Sequence, residues 1–279
     1  MDIPPAPEPS PVGTLAGRVA LVTGAGRGIG RACALALARR GADLVLTARS
    51  DAALAEVGAA LAPTGRAVLT VACDLSEPGA ADALLGQAHA RFPAVDILVN
   101  NAGRSGPLGP TARIDPAEWE RTLALNLTAP VRLGRRLLPG MLARGWGRIV
   151  NVTSGAAAGS GLTGANAYSV SKAGLEHFTR NLAAEVAGTG VLVNTVRPGV
   201  VDTSMQAGMR APGNGLDAAT RAVFTELDAG GALARPEAAG EFLADVVQSE
   251  VSGRTLDART TTPHDLGAHA PKPPTTAPH

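Results

Sequence analysis

Along the chain, short continuous apolar runs alternate with longer stretches in which apolar residues return every three or four positions. Residues 18–22 form an apolar, β-branched run, residues 23–30 carry four glycines, and residues 29–37 repeat apolar positions at helical spacing. This predicts strand, tight glycine turn, helix. The alternation continues, with strands expected at residues 44–47, 67–72, 97–100, 148–152 and 192–196 and helices at 51–61, 79–90 and 168–187. A long helical region is expected over 116–144. The strand runs are unbroken rather than alternating, as a parallel sheet covered on both faces requires. The expectation is a single doubly wound α/β domain with a mainly parallel sheet of six to seven strands flanked by helices.

In such a sheet ligands sit beyond the C-terminal ends of the strands. Strand one is followed by the glycine turn, strand two by Ala48-Arg49-Ser50 and strand three by Cys73-Asp74-Leu75. Strand four is followed by Asn100-Asn101-Ala102-Gly103, strand five by Thr153-Ser154-Gly155 and strand six by Arg197-Pro198-Gly199. Where a glycine turn feeds a helix N-terminus, free N–H groups and the helix dipole converge, which suits a phosphate. Gly24, Gly28 and Gly30, with Gly26 between, do not fit G-x-G-x-x-G, so the turn alone belongs to any α/β fold. The end of strand two is more telling. A carboxylate there would bond the ribose hydroxyls of NAD and repel a 2′-phosphate, but Ala48 holds that place and Asp43 precedes the strand. Arg49 and Arg27 would offer two guanidinium groups to a 2′-phosphate, which favours NADP(H) over NAD(H). Two solvated surface arginines are the alternative.

Tyr168 and Lys172 stand at i and i+4 of one expected helix, placing an ammonium beside a phenol, where it would lower a pKa of about 10. An exposed helix pair would look the same, yet Tyr168 is the only tyrosine of the chain. Ser154 lies near the sheet end where this helix begins, and its hydroxyl could hold a carbonyl oxygen beside the phenol. Pro130 deprives the carbonyl of Asn126 of its i+4 donor, so the helix should kink there and leave an acceptor free for water.

A formal net charge of +1 leaves no field to attract nucleic acid or anionic lipid. Cys33 and Cys73 form neither a Cys-x-x-Cys pair nor a disulfide framework, and no metal ligands are grouped. Residues 1–13 (MDIPPAPEPSPVG) and 260–279 are expected to be tails, disordered and flexible, on either side of a domain at 14–259. With no signal-like or membrane-spanning run, a cytoplasmic protein is expected.

The ordered set Thr23-Gly24-(x)3-Gly28-Ile29-Gly30, Asn100-Asn101-Ala102-Gly103, Asn126, Ser154, Tyr168-(x)3-Lys172 and Pro198-Gly199-(x)3-Thr203 resembles the short-chain dehydrogenase/reductase family over about residues 15–257. The resemblance implies a Rossmann-like fold and a ketoreductase-like oxidoreductase acting on a small carbonyl or alcohol substrate, assembled as a homodimer or homotetramer. It implies Tyr168 as general acid/base, Lys172 on the nicotinamide ribose, Ser154 polarising the substrate oxygen, and Asn126 holding a relay water. Asp74 would contact adenine, Asn100 and Ala102 the adenosine side, and Val201 and Thr203 the carboxamide or pyrophosphate. Gly24, Arg27, Gly28, Ile29, Gly30, Arg49, Leu75, Gly103, Pro198 and Gly199 complete the implied cofactor set. Two departures stand out. The Ser154 to Tyr168 gap places Gly155 at the usual count, and SGRTLDARTTT lacks the common Asp-Gly-Gly ending. Residues 203–231, with Met205, Met209 and Phe224, suggest a lid but no particular substrate. An NAD-dependent alcohol dehydrogenase and a non-catalytic NADP-binding regulatory protein are the alternatives, the latter disfavoured by the intact set Asn126, Ser154, Tyr168 and Lys172. No serine fits G-x-S-x-G, which argues against a hydrolase.

Overall fold

The computed structural model describes residues 15–158 and 162–267. Seven strands, β1 (Val19–Thr23), β2 (Asp43–Ala48), β3 (Val68–Ala72), β4 (Ile97–Asn100), β5 (Gly147–Val152), β6 (Val191–Arg197) and β7 (Thr255–Asp257), form one parallel sheet in the order β3-β2-β1-β4-β5-β6-β7. The order reverses between β1 and β4, which opens a crevice at their C-terminal ends.

One face is covered by α1 (Gly28–Arg39), α2 (Asp51–Leu61) and α9 (Pro236–Gln248), whose apolar sides bury Val22, Leu46, Val99 and Val150. On the other face α3 (Ala80–Arg91), α5 (Ala129–Ala143) and α6 (Asn166–Glu185) bury Leu21, Val45, Leu98, Ile149 and Val193. Both faces of each central strand are thus apolar, which is why the strand sequences do not alternate. Some helices begin at a residue that caps them: Ser50 accepts from the Ala53 N–H at 3.2 Å at the start of α2. Asp115 accepts from Ala117 N–H at 3.0 Å ahead of α4 (Pro116–Leu123).

One layer beneath the C-terminal edge the α6-side face turns polar. Thr47 adjoins Thr23, Asn100 adjoins Asn151, Asn151 adjoins Thr195, and Thr195 adjoins Thr255. The first five are almost wholly buried. Asn100 donates to Asn151 at 2.8 Å, Asn151 to Thr179 on α6 at 2.9 Å, and Thr179 to the Leu175 carbonyl at 2.7 Å.

The expected long helix over 116–144 is α4, a π-turn at Ala124–Thr128, and α5. The widened turn sits where Pro130 withholds an N–H, so the distortion takes the form of an extra residue in the turn. Within 203–231 lie α7 (Ser204–Arg210) and α8 (Ala218–Ala229). Of the expected tails, residues 1–13 and 268–279 lie outside the described residues; Pro263–Leu266 forms a short turn whose Leu266 packs against the core. No helix among the described residues is long and apolar enough to cross a membrane.

Candidate active site

The glycine turn leaves β1 and enters α1 with no side chain closing its N-terminus. Arg27 at the cap position makes no capping bond and the first turn holds no acidic residue, so its N–H groups face outward under a positive dipole. Gly24 and Gly28 adopt φ of +66° and +54°, open to glycine. A Cβ on Gly30 would stand 2.3 Å from the Gly24 carbonyl oxygen and 2.5 Å from Asn101 Nδ2. Asn101 ties this turn to the end of β4, donating to the carbonyls of Thr23 at 2.9 Å and Gly24 at 3.3 Å. Thr23 answers by accepting the N–H groups of Asn101 and Ala102 at 3.0 and 2.9 Å. Thr203 reaches the same place from beyond β6, its methyl 3.2 Å from where a Cβ of Gly28 would be. Donors without acceptors in a cradle that any larger residue would fill suit the pyrophosphate of a nicotinamide dinucleotide.

At the outer end of this crevice Arg27 and Arg49 are exposed and form no ion pair among the described residues. Ala48 packs toward Gly26, where a Cβ would lie 3.3 Å from the alanine methyl. Partial burial pushes the Asp74 carboxyl up, but two hydrogen bonds from Ser76 and the Arg49 and Arg121 guanidiniums outweigh it, leaving the carboxyl below its usual range. Asp74 and Arg49 therefore face one region. Leu75 is 5% exposed and belongs to the core beneath. The Asn100 side chain points into the polar layer, which leaves its main chain to meet a ligand. Its Oδ1 has no hydrogen-bond partner among the described residues.

The second half of the site gathers at the ends of β4 and β5. Tyr168 and Lys172 lie on the first two turns of α6, both buried, with Lys172 Nζ 5.9 Å from the phenol ring centroid. Lys172 Nζ donates to the Val152 carbonyl at 2.8 Å, and a Cβ on Gly103 would lie 3.3 Å from Asn126 Oδ1 and 3.5 Å from Lys172 Nζ. Ser154 caps the turn Gly155–Ala157, its oxygen accepting from Ala156 N–H at 3.2 Å, which leaves its hydroxyl proton for a partner on the Tyr168 side. The Ser154 hydroxyl lies within hydrogen-bonding reach of Tyr168, whose phenol it lowers, whereas Gly155 offers no side chain there.

Electrostatically the site departs from the simple pairing argument. Burial pushes the Tyr168 phenol up from its ordinary value, opposed by the Ser154 hydrogen bond. Lys172 is itself desolvated, and burial brings its ammonium down to about 8. The expected lowering of the phenol by the ammonium is therefore not what the site gives, because both groups have lost solvent and Lys172 donates to a backbone carbonyl.

Asn126 is fully buried. Its side chain accepts from Arg104 N–H at 2.9 Å and donates to the Arg104 carbonyl at 2.9 Å and to Ser171 at 3.0 Å. Ser171 donates to the Tyr168 carbonyl at 2.7 Å. Asn126 thus fastens the β4 loop to the helix of Tyr168. Gly199 takes φ of +79° after Pro198, and Val201 is buried with its main chain bridged to Ala234. Every motif residue reaches this one edge of the sheet, Ile29 by packing below the turn. Pattern alone put Asn101 in a motif without giving it a role and missed Ser171 and Arg104, whose parts depend on contacts between elements distant in sequence.

Comparison with known proteins agrees. The family described as short chain dehydrogenase matches residues 18–213. Cis-4-hydroxycyclohexanecarboxylate dehydrogenase of Sinomonas cyclohexanicum is 39% identical over 242 residues, 86% of this chain and 94% of that one. The 3-oxoacyl-acyl-carrier-protein reductase of Vibrio cholerae is 38% identical over 248 residues, 87% and 96% of the two chains. The crystal structure of L-sorbose reductase from Gluconobacter frateurii, complexed with NADPH and L-sorbose, superposes with a TM-score of 0.78 at 32% identity, covering 88% of this chain and 96% of that chain.

Proposed function

The chain belongs to the short-chain dehydrogenase/reductase family of oxidoreductases, and from that premise we propose that it interconverts a ketone and a secondary alcohol using NADP(H). The observation that carries the reading is the meeting of Ser154, Tyr168, Lys172 and Asn126 at one sheet edge, beside an open glycine turn flanked by Arg27 and Arg49. Relatives named as a cis-4-hydroxycyclohexanecarboxylate dehydrogenase and a 3-oxoacyl-acyl-carrier-protein reductase support alcohol and ketone chemistry, and an NADPH complex of a similar fold supports the cofactor.

When bound, NADPH supplies the hydride. The Ser154 hydroxyl, turned toward Tyr168, would donate to the substrate oxygen and fix the carbonyl beside the phenol. The buried phenol stays protonated at neutral pH, the form needed to give its proton to the developing alkoxide. With its ammonium form still predominant at pH 7, Lys172 would stabilise the phenolate left behind and, with the donors its bond to the Val152 carbonyl leaves over, would bond the nicotinamide ribose. The Asn126 carbonyl, within the π-turn, would hold a water returning a proton from solvent. Gly24, Gly28, Ile29 and Gly30 would receive the pyrophosphate, Asp74, Leu75, Asn100, Ala102 and Gly103 the adenosine and ribose side, and Pro198, Gly199, Val201 and Thr203 the nicotinamide. Residues 203–231 would act as the lid.

Following the near-ultraviolet absorbance of NADPH and NADH with a panel of ketones tests this directly. Tyr168→Phe should keep NADPH binding and lose about 10²–10⁴ in reduction rate. Equal turnover in that variant would refute the assignment; tight NADPH binding without turnover by the native chain would favour a cofactor sensor.

A further inference from the structure

A second set of charged groups follows the same sheet edge without touching the reacting atoms. Glu176, one turn beyond Lys172 on α6, is 4% exposed. Its Oε1 accepts from the Thr153 hydroxyl at 2.9 Å and from Arg197 Nε at 2.8 Å, and its Oε2 accepts from Arg197 at 2.7 Å. Thr153 adjoins Ser154 and Arg197 adjoins Pro198, so one bidentate carboxylate ties the ends of β5 and β6 to the helix of Tyr168. Across the sheet Arg197 is the register neighbour of Asp257, the last residue of β7, and the Ala258 N–H donates to the Arg197 carbonyl at 2.9 Å. Asp257 accepts from Arg259 Nε at 2.9 Å and from Arg259 Nη2 at 2.7 Å, one on each carboxylate oxygen. The aliphatic stem of Arg259 then returns over Gly199, where a Cβ would stand 3.3 Å from its Cγ and 3.4 Å from its Cδ.

Charge therefore alternates through Glu176, Arg197, Asp257 and Arg259 along the strand ends, and the last member rests on the loop after β6. An ending of Asp-Gly-Gly could not build this arrangement, since it lacks the returning side chain. We propose that Asp257 and Arg259 are positioning residues for loop 198–203, acting on it through Gly199 and the Arg197–Glu176 pair, so that the end of this chain tunes cofactor affinity. The affinity part rests on the reading that this loop binds the nicotinamide half of the cofactor. Arg259 touches the backbone of the loop rather than the proton donors, so its influence falls on where Val201 and Thr203 stand. Order in the loop is reported by the Asp202 N–H, which donates to the Ala234 carbonyl at 2.9 Å.

The test compares the full-length native chain with Arg259→Ala, Arg259→Lys and Asp257→Asn. NADPH affinity is read from nucleotide fluorescence, and hydrogen exchange of peptides covering 198–204 and 28–39 is read without cofactor. A half-exposed ion pair over one packed stem predicts a rise of roughly three- to tenfold in NADPH Kd and KM for Arg259→Ala, with kcat held. Exchange should quicken in 198–204 but not in 28–39, and Arg259→Lys should recover most of both effects. Unchanged exchange in 198–204 for both Arg259→Ala and Asp257→Asn would overturn the proposal, as would exchange that quickens equally in both peptides. Should the native chain fail to bind NADPH, the cofactor reading falls, while the exchange comparison still decides whether these residues position the loop.

Discussion

Replacing Lys172 by methionine tests whether a buried ammonium stands at the centre of the site. Burial brings this group from 10.5 in the open chain down to about 8 in the folded protein. Between those values the unfolded chain holds a proton that the folded chain has released, so stability rises with pH across that window. Below pH 8 both states hold the proton and the fold bears the whole cost of the buried charge, about 3 kcal/mol at about 1.4 kcal/mol per pH unit between the two values. Lys172→Met keeps the length of the side chain and removes that cost, but leaves the Val152 carbonyl without its donor, a loss of about 1–3 kcal/mol. At pH 7 the two terms oppose, and the variant should lie within about 2 kcal/mol of the native protein in either direction. The pH dependence has a definite sign. From pH 7 to about pH 9.5 the native protein should gain about 2 kcal/mol relative to Lys172→Met, a difference of roughly 5 °C in Tm. Urea unfolding of both proteins at matched ionic strength measures it, and common contributions from other groups cancel in the difference. Parallel curves, with the gap constant to about 0.5 kcal/mol, would refute the reasoning, because an ammonium that keeps its solvent shows no such window.

Arg49→Ala should weaken NADPH binding by about tenfold or more while changing NADH binding little, since a charge-assisted bond to a 2′-phosphate is lost only for the former; equal losses, measured by titration at fixed salt, would count against the 2′-phosphate reading. Gly30→Ala forces a Cβ to 2.3 Å from the Gly24 oxygen, so the turn must open. It should cost about 1–3 kcal/mol and abolish nucleotide binding together, and a variant with native Tm and native affinity would show that the turn is not the cradle described.

The central strands were legible because burial on both faces writes itself as an unbroken apolar run, and the observed β1, β2, β4, β5 and β6 lie within a residue or two of the expected ranges. β7 is three residues long and half polar, too little to stand out. α9 was not among the expected elements. Its close approach to α1 is made by Gly240, where a Cβ would meet Ala32 at 2.5 Å, a tertiary fact with no local spacing. The Tyr168 and Lys172 pair was readable as two residues on one helix face. Its electrostatics were not, because the sign of the effect turned on how much water each group loses. Likewise the Asn100 side chain turning inward, and Asn126 grasping both backbone groups of Arg104, depend on which partner comes to meet them.

The polar layer under the site has a further consequence for how the sheet is threaded. Apolar layers attract without direction, so a strand slipped along its neighbour by two residues would present much the same greasy face. Asn100, Asn151 and Thr179 are joined donor to acceptor in sequence, with Asn100 Oδ1 left unpaired among the described residues, and a slip of either strand would break both bonds and add further unbonded amide groups to that one. This layer serves as an alignment key: it adds unsatisfied amides to mispaired arrangements and so favours the register that sets Asn100 beside Asn151, with Asn101 and Ser154 following at the two strand ends. Repacking the layers beneath it should be tolerated far more readily than exchanging any one of its members alone.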